Sequence, residues 1–120
     1  MSIYSVIEGN VVVNTVDEND TLNDIFDLIS KNIDEWVGYK LLWDLSIFNF
    51  LKIDSDSIHS FIQKIAPLSE KHSGQKDAIL AKTELGFGMM RMLQILAENK
   101  YKIEIKVFRE KDEALKWLKE

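Results

Sequence analysis

Short apolar runs alternate with amphipathic helical patterns along the whole chain, and this alternation narrows the fold more than any other feature. "YKLLWDLS" (39–46) and "DAILAK" (77–82) are nearly continuous apolar runs without Gly or Pro. Each reads as a strand buried on both faces. Ahead of the first lies a helical stripe of Leu22, Ile25, Phe26, Ile29, Ile33, Trp36 and Val37. Thr21 can cap it, with Asp24 three residues on, and Gly38 can end it. A second helix carries Ile58, Phe61, Ile62 and Ile65. It should end or kink at Ala66, because Pro67 lacks a backbone donor and disfavours helical geometry before it. The third helix places Leu85, Met89, Met92, Leu93 and Leu96 inward.

Both ends of the chain fit the same scheme. Two β-rich runs, 3–7 and 11–16, flank Gly9-Asn10, a turn pair suited to a hairpin. "YKIEIKVF" (101–108) alternates strictly, with Tyr101, Ile103, Ile105 and Val107 on its apolar face. A last short helix turns Ala114, Leu115 and Leu118 inward. The order ββαβαβαβα predicts an α/β fold: one mixed, mostly parallel sheet of about five strands, with four helices mainly on one face and right-handed crossovers. At 120 residues, a single domain spanning 1–120 is expected.

Composition excludes several roles. Without cysteine there is no disulfide, thiolate ligand or Cys nucleophile. The net charge is −5 and the bases are interleaved with acids, so no stripe exists to bind nucleic acid. Neither a signal peptide nor a membrane span is visible, and a cytoplasmic location is expected. His59 and His72 share no zinc spacing, and no Gly-x-Ser-x-Gly elbow holds a nucleophile. No arrangement calls for a cofactor or a metal, and the protein is expected not to be an enzyme.

Four places carry functional candidates. Asp54-Ser55-Asp56-Ser57 reads either as a helix cap or as a phosphate acceptor at Ser55 or Ser57. In the cap reading, Asp54 accepts a first-turn N–H and Ile53 staples to Ile58. Asp44, an acid at the end of an apolar strand, either bonds a neighbouring loop or lines a cleft at the sheet edge. Phe48 and Phe50 either anchor a partner or fold back over the sheet. In "LGFGMMRM", Gly86 and Gly88 imply close packing against the sheet or approach of an anion to the free N–H groups. Phe87 and Arg91 are i, i+4 neighbours with Met90 near, forming either a partner surface, a pocket rim or a local stack of Arg91 on Phe87.

"LLWDLS", followed by an Asp-Ser cluster opening the next helix, resembles the STAS domain (sulfate transporter and anti-sigma-factor antagonist). "LGFGMMRMLQILAE" (85–98) and "VFREKDEALKWL" (107–118) carry a closer resemblance, to small stand-alone bacterial proteins described as STAS-like and related to the lipid-carrier fold. The resemblance implies the α/β fold, a regulatory role and a phosphorylated Ser at the position of Ser55 or Ser57. Here the motif's Gly is missing and Asp56 replaces its second Ser.

A non-enzymatic STAS-like module that binds a protein partner or itself, as a homodimer, is therefore expected. The surface would join Asp44, Phe48, Phe50, Phe87, Met90 and Arg91. Carriage or sensing of a small apolar or lipid-like ligand is the alternative, resting on the Met-rich third helix.

Overall fold

The computed structural model describes residues 3–120 and shows an α/β domain. A hairpin of β1 (Tyr4–Glu8) and β2 (Val11–Thr15) opens it, turning at Gly9 with φ +64°. There follow α1 (Leu22–Asn32), β3 (Lys40–Asp44), α2 (Ser55–Ser69), β4 (Lys76–Leu80), α3 (Glu84–Ala97), β5 (Glu104–Phe108) and α4 (Lys111–Lys119). One sheet runs β1-β2-β3-β4-β5, antiparallel only between β1 and β2.

That sequential order decides where the helices go. Each crossover moves the chain one strand in the same direction, so a common handedness puts α1, α2 and α3 on one face. There Ile25, Ile29, Ile58, Ile62, Met90 and Leu93 pack on Val12, Leu41, Trp43, Ile79 and Val107. α4 leaves the last strand without another to reach, and it covers the opposite face. Ala114, Trp117 and Leu118 meet Val13, Leu42, Ala78, Leu80 and Phe108 there. The period-two alternation of β2 to β5 thus feeds two cores.

Several elements depart from the sequence reading. α1 stops at Asn32, and the stripe continues through turns in which Ile33 and Trp36 are buried but Val37 is exposed. The capping box at its start is formed in both directions between Thr21 and Asp24. α2 runs through Pro67 to Ser69. Pro67 falls in the final turn, where few helical bonds remain to lose, and the Ser69 hydroxyl donates to Ala66 O at 2.7 Å. β5 is shorter than the alternating run, because the Tyr101 N–H still bonds back to Ala97 O at 2.9 Å.

α3 is rotated from its expected face. Its buried residues are Gly86, Met90, Leu93 and Ala97, while Leu85 and Ile95 are exposed. Small side chains face inward and let the helix approach closely. On α4, Trp117 is buried beside Ala114 and Leu118, and Leu115 is half-buried.

Candidate functional site

The carboxyl ends of β3 and β4 and the loops leaving them form one edge of the molecule, where open parallel sheets present their sites. Asp44 closes β3: its Oδ1 accepts the Ser46 N–H at 3.0 Å and the Ser46 hydroxyl. The acid is committed to its own loop. Side chains then alternate. Phe48 and Phe50 turn in, with rings 5.0 Å apart and edge to face, while Ile47 and Leu51 turn out. Asn49 fixes the turn by accepting the Leu51 N–H at 3.1 Å.

Phe48 and Phe50 are therefore core residues rather than partner anchors. Met90, at 2% exposure, is also interior. The Phe50 ring explains Gly86: a Cβ there would lie 2.5 Å from Phe50 Cε2. The close packing expected of this glycine is against the loop. Open space surrounds Gly88, and nothing in the structure explains its choice. Phe87 is half-buried, and the guanidinium stacked on it, 4.4 Å from the ring centroid, belongs to Arg109 rather than to the exposed Arg91. Arg109 follows β5, so no helical spacing could have revealed it.

What this edge does expose is Ile47, Leu51 and Leu85, at 56%, 84% and 48%. Leu51 and Leu85 directly adjoin Phe50 and Gly86, which touch. The apolar side chains exposed here are thus chain neighbours of the residues the sequence singles out.

At the start of α2, Asp54 is the N-cap. Its Oδ1 accepts the Ser57 N–H and the Ser57 hydroxyl, each at 2.8 Å. The Ser57 backbone bond, then its hydroxyl, hold the Asp54 carboxyl below the ordinary carboxylate range. Ile53 and Ile58 both pack into the larger core, as a staple requires. Ser57 is thus engaged, whereas Ser55 is exposed.

A second place was not singled out from the sequence. At the start of β4, Asp77 faces the core beneath α1–α3, between Leu41 of β3 and Ile105 of β5. His72, 2% exposed in the turn after α2, brings its Nε2 to 3.3 Å from Asp77 Oδ1 without the alignment of a hydrogen bond. Both His72 ring nitrogens, Asp77 Oδ1, the Tyr101 hydroxyl and Gln94 Oε1 are buried without a hydrogen-bond partner. Burial pushes the Asp77 carboxyl upward, and the neighbouring His72 and Trp43 side chains offset only part of this. Burial, then the nearby Asp77 charge, raises the Tyr101 phenol.

Above this polar floor lies an apolar cavity of about 70 Å³. Ile25 and Ile29 of α1, Phe61 and Ile65 of α2, and Met90 of α3 wall it. Asp77, Trp43 and Tyr101 line it from the sheet side. An open cleft of about 580 Å³ along the end of α3 shares Tyr101, Ile103 and Ile105 with it.

An acid inside an apolar strand was the available signal. It drew notice at Asp44, where the carboxylate merely closes a turn, and not at Asp77.

The chain is a five-stranded α/β domain, and no family model, curated protein or solved structure matches it. Among the described residues no helix is long and apolar enough to cross a membrane.

Proposed function

We propose that this chain is a non-enzymatic, STAS-like regulatory module that docks a protein partner at the carboxyl edge of its sheet. The observation that carries the reading is the exposure of Ile47, Leu51 and Leu85 around the Phe50–Gly86 contact. Apolar anchors over a rigid aromatic base suit a protein surface, since the base holds them in place before binding. Ser55 stands exposed at the helix start that follows the same loop, where a phosphate would add charge to that edge. Leu51→Asp with Leu85→Asp tests the reading, because both side chains are exposed and the fold should survive. Cross-linked partners recovered from the native cell with the parent chain should be lost with the double variant at unchanged thermal stability. An unchanged set of partners would sink the proposal. Phosphosite mapping of the same material decides whether Ser55 or Ser57 is modified.

The apolar cavity favours a second reading, sensing or carriage of a small ligand. Ordinary ligand pockets begin at roughly 300 Å³. At about 70 Å³ this one admits a group of a few heavy atoms, or the end of a longer molecule.

A further inference from the structure

We infer that the cavity under α1–α3 is a site for a small organic ammonium ion, with the Asp77 carboxylate as its counter-charge. The inference rests on the ligand-binding reading and gives that ligand a chemical class. An apolar hole alone would select a neutral guest. This one has an acid in its lining, nearly all of it removed from water, and a buried acid needs a cationic or hydrogen-bonding partner. Three aromatic side chains, Trp43, Phe61 and Tyr101, line the same cavity. Rings around a cation, with one carboxylate, are the chemistry that recognises alkylammonium groups, because the ring faces attract positive charge at low desolvation cost. Tyr101 is an independent sign: its hydroxyl is buried without a hydrogen-bond partner, and the residue lines the cavity together with Asp77.

Two other titratable groups face Asp77: Tyr101, whose phenol is raised by burial and then by the Asp77 charge, and His72, which stands at ion-pair distance without a formed hydrogen bond. α1, α2 and α3 contribute only apolar side chains to the cavity. An ammonium ion entering from the cavity side supplies the counter-charge, with Asp77 ionised. Binding should therefore weaken on acidification, as Asp77 takes up a proton. An alkylamine stays protonated across this range, like a lysine side chain, so the pH profile reports the protein's groups.

The test uses isobutylammonium and its neutral counterpart isobutanol, followed by NMR at the Trp43 indole N–H and the Met90 methyl. Isobutylammonium should bind saturably, about tenfold or more tighter than isobutanol, as expected for a bond to a charged group. Asp77→Asn should abolish that preference while leaving isobutanol binding in place. Equal binding of the two probes, or a preference that survives Asp77→Asn, overturns the ammonium inference and leaves the ligand reading standing. Saturable binding of neither overturns both. Should Asp77→Asn fail to fold, the pH profile of the parent chain decides: ammonium affinity unchanged on acidification refutes the role of Asp77.

Discussion

The two glycines of α3 have the same side chain and opposite surroundings. Gly86 lies under the Phe50 ring, itself held edge to face against Phe48, so neither ring can give way freely. Gly86→Ala should cost about 1–3 kcal/mol, the usual range for overpacking a filled site. Gly88 faces open space within a helix, and Gly88→Ala should add about 0.5–1 kcal/mol by restricting the unfolded chain. Urea denaturation of the two variants side by side checks both signs. A third residue, Asp77, sets a pH dependence. Its carboxyl is held above the ordinary range, so the folded protein keeps a proton that the unfolded chain has released. The stability it contributes is complete below the unfolded pKa and is lost as pH rises through the folded one. Asp77→Asn lacks this loss, so its stability relative to the parent chain should rise from mildly acidic to neutral pH. Urea midpoints at the two pH values measure it, and a constant difference would contradict the assignment.

The elements themselves were legible because their periods differ. Alternation at two residues and stripes at three to four separate strand from helix without any knowledge of contacts. Five strands and four helices follow in the expected order. The facing of α3 was not legible, for a physical reason. Of the residues expected inward, Leu85, Met89, Met92, Leu93 and Leu96, only Leu93 is fully buried, and it shares the inner stripe with Gly86, Met90 and Ala97. A helix apolar on most sides is oriented by how closely it can approach its neighbours, and small residues decide that. The Asp77, His72 and Tyr101 group was hidden differently. Its members come from a strand, a turn and a loop, so only the fold brings them together. The anchoring of α4 is a third feature invisible in the sequence. Lys40 Nζ donates to Leu118 O, and Lys76 Nζ donates to Trp117 O at 3.1 Å and lies 4.9 Å over the Trp117 ring. Two strand lysines thus satisfy carbonyls at the negative end of the helix. Replacing both with Met keeps their stems but removes the charges. The double variant should lose about 1–2 kcal/mol. Amide exchange should quicken in α4 before it does in β3 or β4.

The two edges of the whole sheet differ in how they meet solvent. β5 ends one side and alternates exposed Glu104 and Lys106 with half-buried Ile105. Charged side chains at an edge oppose pairing with another sheet. β1 ends the other side, and every one of its residues is exposed, including Tyr4, Val6 and Ile7. Tyr4 and Val6 lie on the α4 side of the sheet, because Val6 pairs with Val13, but α4 rests on β3, β4 and β5. No lysine or proline interrupts β1. A five-residue strand with a free backbone edge and apolar side chains on both faces is a template for a further strand. If the protein associates with itself, this is the edge with the least to oppose it, and an antiparallel pairing about Val6 places a two-fold axis between the two β1 strands. Ile7→Lys adds the charge that β5 already carries. In sedimentation of the parent chain across a concentration series, the weight-average mass should rise toward a dimer, and Ile7→Lys should hold it at the monomer. A dimer that persists with a lysine at position 7 would move the self-association surface off β1, with the exposed Leu51 and Leu85 on the carboxyl edge next to be tested.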